Sequence, residues 1–242
     1  MREILSDIVK HIAGLGFINE IKLTGTEDKT SIEGIDANKT VIVKGQLKIP
    51  SQDFIGDFGM GQLGLLKGLV EFPIFKDEKT SLKIVKRERN EKLVPEEIVF
   101  SNKQTATYRF MSPELIPDQV KFLGTSVDVK VTPSKSAINL FSSMAGLYAS
   151  FEQFFLPKTV DGELRFYIGD ENSASHKAFV VFDQTDGVLN TNLYYPIAQV
   201  LSILKLAEDG KVTMGFSQKG ALIIDIETDI AEWKYILPAR KK

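Results

Sequence analysis

Apolar and polar residues alternate with two different periods along this chain, and the order in which the periods occur predicts its layout. From residue 2 to 14, Ile4, Leu5, Ile8, Val9 and Ile12 fall on one helical stripe, with Glu3, Ser6, Asp7 and Lys10 turned away and Gly14 and Gly16 as stops. Period two then takes over. Phe17 to Leu23, Thr30 to Ile35 and Thr40 to Ile49 read as strands, separated by the turn residues Thr26-Glu27-Asp28 and Asp36-Ala37-Asn38. A glycine-rich helix, GMGQLGLLKGLVEFP, ends at Pro73. Strands follow at Ser81 to Arg87, Ile98 to Phe100 and Thr105 to Phe110. Between the first two projects a charged excursion, KRERNEKLVPEE, with as many acids as bases, as expected of a solvated hairpin.

Met111 to Thr125, MSPELIPDQVKFLGT, holds two prolines and no clean period and reads as a connector. Beyond it the order recurs. Val127 to Val131 is a strand and Ser134 to Glu152 a helix opened by a Ser cap. Gln153 to Leu156, Glu163 to Ile168, Lys177 to Asp183 and Val188 to Leu193 are strands. The helix YYPIAQVLSILKLAEDG is started by Pro196 and stopped by Gly210. Lys211 to Ser217, Ala221 to Glu227 and Ile230 to Leu237 complete an antiparallel meander. Helices near residues 2 and 60 thus recur near 134 and 196, which points to a duplicated unit of helix, meander, helix, meander. The expected class is α+β, with two similar domains, 1–110 and 126–242, joined by the connector 111–125.

Composition narrows the function classes. With 242 residues and 43% hydrophobic content the chain supports a sizeable core. A formal net charge of −2 and a pI near 5.8 favour neither a basic nucleic-acid binder nor a membrane-surface protein, so any DNA contact must come from local patches. There is no Cys, hence no disulfide, thiolate metal site or cysteine nucleophile, which fits a reducing cytoplasm. No stretch resembles a signal peptide or approaches the roughly 20 apolar residues of a membrane span.

The closing residues WKYILPAR, the connector RFMSPELIPDQ and the helix GMGQLGLLKGLVEFP resemble those of sliding clamps of large tailed phages, related in architecture to trimeric PCNA-type clamps. The resemblance covers essentially the whole chain and rests on soft patterns, none of them catalytic. It implies the DNA-clamp fold, with two helices per domain packed on antiparallel sheet. It implies a ring of three subunits enclosing double-stranded DNA without sequence preference, loaded by an ATP-driven clamp loader and tethering a replicative polymerase. No cofactor, metal, membrane or catalysis is expected, and the implied location is the cytoplasm of an infected host cell.

Residue by residue, the resemblance assigns the DNA-facing role to helix-borne cations off the apolar stripes: Arg2, Lys10, Lys67, Lys135 and Lys205. Their alternative is ordinary solvation. The third helix offers Ser136, Asn139, Ser142 and Ser143 where the family would supply more Lys or Arg. Enclosure needs only weak phosphate contacts, which suits so sparse a set. Ring closure is assigned to edge strands carrying Thr107, Tyr108 and Phe110 on one side and Ala178, Val180 and Phe182 on the other. A partner-peptide pocket is assigned to Met111, Leu115, Ile116 and Val120 with Tyr235, Leu237 and Pro238. The alternative for those apolar residues is a satellite core.

Three patterns invite an enzymatic reading. Gly59-Met60-Gly61-Gln62-Leu63-Gly64 matches G-x-G-x-x-G, but that fingerprint requires a buried parallel strand before it, and SQDFIGDF is a poor one. Asp225, Glu227 and Asp229 alternate on a strand about 6.6–6.8 Å apart, too wide to share one metal ion, and a solvated face is expected. His11 and His176 have no triad or zinc-helix spacing and are expected at the surface. Two further readings stay open: a homo-oligomeric β-rich scaffold that never encloses DNA, and a carboxylate-dependent hydrolase on the Asp225 face.

Overall fold

The computed structural model describes residues 1–89, 92–116, 124–169, 176–209 and 211–241. By compactness the chain divides into Met1–Val120 with Thr228–Trp233, and Lys121–Glu227 with Lys234–Lys242. The first unit therefore takes six residues from late in the chain. Its elements are α1 (Arg2–His11), β1 (Ile21–Gly25), β2 (Thr30–Ile35), β3 (Ile42–Leu47), β4 (Gly56–Met60), α2 (Leu63–Glu71), α3 (Pro73–Lys76), β5 (Ser81–Arg89), β6 (Lys92–Ser101) and β7 (Thr105–Arg109). One antiparallel sheet runs β4-β1-β2-β3 and a second runs β5-β6-β7. Strict alternation in β1 and β2 turns Ile21, Leu23 and Ile32 inward, and α1 buries the stripe Leu5, Ile8 and Val9.

The second unit holds β8 (Val129–Val131), α4 (Lys135–Tyr148), β9 (Phe154–Val160), β10 (Glu163–Ile168), β11 (Ala178–Gln184), β12 (Tyr195–Pro196), α5 (Ile197–Leu204), β13 (Lys211–Ser217) and β14 (Ala221–Glu227). The last strand, β15 (Ala231–Pro238), is shared, its residues from Lys234 onward belonging here. The sheets run β11-β10-β9-β12 and β14-β13-β8. Their core is a cluster of rings. Phe166 lies 4.1 Å from Phe182, 4.5 Å from Phe155, 5.1 Å from Phe141 and 5.8 Å from Phe216, in stacked, tilted and edge-on geometries.

Several expectations change. Val188 to Leu193 forms no strand: Leu189 O accepts from Thr159 N (2.9 Å) and Leu189 N donates to Thr159 Oγ1 (2.8 Å), and no ladder continues from that pair. GDFGM, disfavoured by its glycines, does form β4, paired antiparallel to β1. Pro73 opens α3 instead of ending the helical region, because a proline at the first helical position loses no bond. The charged excursion is the β5–β6 hairpin, whose residues 90–91 lie outside the described residues, as do 117–123 of the connector and Gly210. Among the described residues no helix is long and apolar enough to cross a membrane.

Candidate nucleic-acid and subunit interfaces

In the first unit, one of the expected DNA-facing cations is committed elsewhere. Arg2 donates to Phe75 O (2.6 Å) and Thr80 O (3.0 Å), tying the start of α1 to the end of α3 and the turn before β5, so its guanidinium is a structural clamp. Lys10 and Lys67 are half-buried. His11, expected at the surface, is fully buried and stacked on Trp233, with ring centroids 5.1 Å apart and planes 2° from parallel. Asp7, one turn earlier, has Oδ1 3.8 Å from His11 Nε2. Its Oδ2 accepts from Trp233 Nε1 (2.8 Å) and Thr228 Oγ1 (3.4 Å). Burial pushes the His11 imidazole down to about 4, with Lys10 adding to the effect, so the ring is neutral at pH 7. Burial raises the Asp7 carboxyl against those two hydrogen bonds. This cluster holds Thr228–Trp233 in the first unit. Gly45 makes room for it, since a Cβ there would sit 2.6 Å from the Trp233 ring.

In the second unit, Ser134 caps α4 as its sequence predicts, accepting from Ala137 N at 3.1 Å. Ile138, Phe141 and Ala145 face the core. The exposed side carries Lys135, Ser136, Asn139, Leu140, Ser143, Gly146 and Leu147, so charge sits at one end and the rest is neutral, with Leu140 and Leu147 51% and 74% exposed. Lys205, directly after α5, is exposed. Lys211, exposed at the start of β13, was not among the expected cations because it lies on a strand.

The strands assigned to ring closure, β7 and β11, are each the outer strand of their sheet. Their core and outward faces differ from the residues expected. Tyr108 (1% exposed), Val180 (3%) and Phe182 (3%) point into the core by the period of two, and Tyr108 donates its hydroxyl to Gly61 O. Burial raises that phenol above its ordinary range. Thr107 is exposed, and Phe110 and Ala178 are half-buried, with the Phe110 ring edge-on to Phe58 at 5.1 Å. The outward face of β11 instead presents Phe179 and Val181, 48% and 39% exposed. Arg165 lies over the Phe179 ring at 5.0 Å while pairing with Glu163 at 2.8 Å, and Tyr167 packs beside Phe179 at 5.5 Å.

The partner-pocket residues also divide. Leu115 is 69% exposed, Met111 half-buried and Ile116 buried in the first unit, and Val120 lies outside the described residues. In the second, Pro238 is exposed but Tyr235 and Leu237 are fully buried. They continue the alternation begun by Ala231 and Trp233 on β15, which makes them core residues and corrects their assignment to an exposed pocket. Gly59 has a steric role: a Cβ there would stand 2.5 Å from Met111 O, and Met111 N donates to Gly59 O at 2.9 Å. With β4 antiparallel to its neighbour, the dinucleotide reading fails on topology. Asp225 is paired with Lys234 at 3.3 Å. His176 is exposed, edge-on to Phe151 at 5.3 Å.

No protein-family model matches the sequence, and no curated protein matches it. Solved structures do match by shape. The PCNA of A. fulgidus, bound to the C-terminal region of FEN-1, aligns with a TM-score of 0.72 at 10% identity over 100% of this chain and 97% of its own. PCNA from Thermococcus kodakaraensis gives 0.68 at 16% identity over 98% and 97%. Proliferating Cellular Nuclear Antigen from Entamoeba histolytica gives 0.66 at 11% over 99% and 94%. The chain has the α+β DNA-clamp fold over its full length.

Proposed function

We propose that this chain is the subunit of a sliding clamp: a non-enzymatic ring that encloses duplex DNA and tethers a replicative polymerase after an ATP-driven loader has opened it. The observation that carries the reading is the match in shape to clamps that share 10–16% of its residues, over 98–100% of this chain and 97% of theirs. A ring of three is favoured, closed by β7 of one copy pairing with β11 of the next, since two unlike edges joined head to tail close a cycle instead of an isologous dimer. Lys10 and Lys67 of the first unit and Lys135 and Lys205 of the second are the cations offered to phosphate, Arg2 being engaged by backbone carbonyls. Leu115, exposed at the start of the connector, is the apolar residue offered to a partner peptide. The resemblance to tailed-phage clamps supports the cytoplasm of an infected cell as the place of this activity.

The test has two parts. Native mass measurement should return a three-subunit particle. After incubation with loader and ATP, the protein should remain on closed circular DNA and be lost when the circle is linearised. A particle of three that ignores DNA topology would instead be a scaffold, and turnover abolished by Asp225→Asn would reinstate the hydrolase. Phe179→Glu with Val181→Glu should yield folded monomers, because both side chains project from the edge strand; an unchanged particle would put the subunit contact elsewhere. That pair is a cleaner probe than proline at Val180, which lies in the core.

A further inference from the structure

The strand that follows the helical region is placed differently in the two units. In the second, β13 has β14 on one side and β8 on the other, with Met214, Gly215 and Phe216 in register with Val131, Lys130 and Val129, and its inward residues Val212, Met214 and Phe216 are buried. In the first, β5 has β6 on one side only, and among the described residues no backbone hydrogen bond reaches it from the other. Its inward face is correspondingly unfinished: Leu82 and Ile84 are half-buried, whereas Phe100 and Ile98, their partners across the ladder, are buried. The open edge runs regularly from Ser81 to Val85, where the register shifts in a bulge. Its charge is one-sided, since β5 carries Lys83, Lys86, Arg87 and Arg89 against Glu88. Arg87 lies 3.6 Å from Glu96 and Lys86 Nζ donates to Ile55 O, while Lys83 stands exposed on the outward face. The other acids nearby are Glu97, half-buried in register with Val85, and Asp77 and Glu78 in the turn before the strand, which Lys76 and Lys79 balance.

We propose that the outer edge of β5, from Ser81 to Val85, is a docking site for an extended segment of a partner protein in which apolar and acidic residues alternate, added to the β5-β6-β7 sheet as a further strand. An open edge presents its N–H and C=O groups as a template for such pairing. A strand laid there turns its apolar residues inward beside Leu82 and Ile84, completing their burial, and its acids outward beside Lys83, as the period of two requires. A second copy of this chain is a poor occupant, because two β5 edges paired antiparallel about Lys83 bring like charges face to face. The site goes beyond the ring reading and does not compete with it: β7 is the opposite edge of the same sheet, so closure through β7 leaves β5 open.

The probe is a short, end-blocked peptide alternating valine and glutamate, added to the full chain while amide hydrogen exchange is followed residue by residue. It should slow exchange at alternate amides between Ser81 and Val85. The same peptide N-methylated throughout should give no protection, because it keeps every side chain and loses its backbone donors, and a valine-lysine peptide of equal length should give none either. Lys83→Glu should weaken binding of the valine-glutamate peptide roughly tenfold, by exchanging an attractive cross-strand pair for a repulsive one, and should admit the valine-lysine peptide. The thermal midpoint of that variant should match the parent's, since Lys83 is exposed. Absence of protection in β5, protection confined to β7 or β11, or equal protection by both peptides overturns the proposal. Protection of β5 that rises with protein concentration in the absence of peptide assigns the edge to a second copy and overturns it as well. Failure of the ring reading appears in the native mass and in retention on circular DNA, neither of which this measurement uses.

Discussion

Helices α1 and α4 are the first helices of the two units, yet they are held down by different chemistry. The buried face of α1 carries Asp7, which accepts from the indole of Trp233 and the hydroxyl of Thr228, and His11, stacked on that indole, while Arg2 reaches two backbone carbonyls. Beneath α4, Phe141 enters a cluster of rings centred on Phe166. Polar anchoring under α1 is directional, and it recruits a segment from the far end of the chain. Ring packing under α4 uses nearby strands and tolerates small shifts. A duplicated layout therefore fixes where a helix goes without fixing what holds it, and the two units should respond differently to pH and to core truncation.

The largest effect should come from removing the ring at the centre of the second unit. Phe166→Ala deletes contacts with four other rings and leaves a cavity that the surrounding strands cannot fill, at a cost of about 3–5 kcal/mol. Against the usual total of about 5–15 kcal/mol that is a large share. Trp233 is the single tryptophan and belongs to the first unit, so its emission reports that unit while circular dichroism reports both. Urea unfolding should shift strongly by circular dichroism. A loss below about 1 kcal/mol would mean that Phe166 is not the centre of the packing.

The polar anchor predicts a pH effect confined to the first unit. His11 titrates near 6.5 when unfolded and near 4 when folded, so above pH 6.5 both states hold it neutral and it adds no pH dependence. As pH falls from 6.5 to 4 the unfolded chain takes up a proton that the folded ring resists, and stability declines by about 3 kcal/mol at most. Asp7 acts with the opposite sign. Its folded value is raised, so it accepts its proton earlier in the folded state and returns part of that stability as pH falls through the folded value. Urea titrations read by Trp233 emission should show the net decline between pH 6.5 and 4, and His11→Phe, which keeps the stack without the proton, should flatten it. An identical pH profile in the variant would remove His11 as the cause.

What the sequence disclosed follows the same division. The predicted bounds of β2, β10, β13 and β14 coincide with the observed ones because β2 and β10 alternate between buried and half-buried positions, while β13 and β14 are apolar runs bounded by clear turns. β4 was hidden because GDFGM has two glycines, one of them required by the approach of Met111. VLNTNL alternates like a strand yet pairs its backbone with β9 at Leu189 and Thr159 without forming a ladder, since alternation says nothing about whether a partner strand exists. His11 could not be read as buried because its stacking partner lies beyond the far end of the second unit's helices, Trp233 being 226 residues from Asp7. Tyr235 and Leu237 were legible after all. Period two from Ala231 already sends them inward, and the family resemblance outweighed it.

The smallest effect separates local from tertiary capping of the same two helices. Ser134 Oγ satisfies an N–H of the first turn of α4 that has no partner within the helix, and Ser134→Ala should cost about 1 kcal/mol. At α1 the capping position is Met1, whose side chain makes no such bond; its amino group instead lies 3.4 Å from Asp53, a carboxylate that is 47% exposed. Exposed ion pairs contribute about 0–1 kcal/mol and weaken with salt. Asp53→Asn should therefore cost less than Ser134→Ala at low salt and close to nothing at high salt, while the Ser134→Ala loss stays constant because a neutral hydrogen bond is not screened. Unfolding midpoints measured at two salt concentrations check both. A Ser134→Ala loss that vanished with salt would show that the bond from Ala137 N to Ser134 Oγ is not what the side chain contributes.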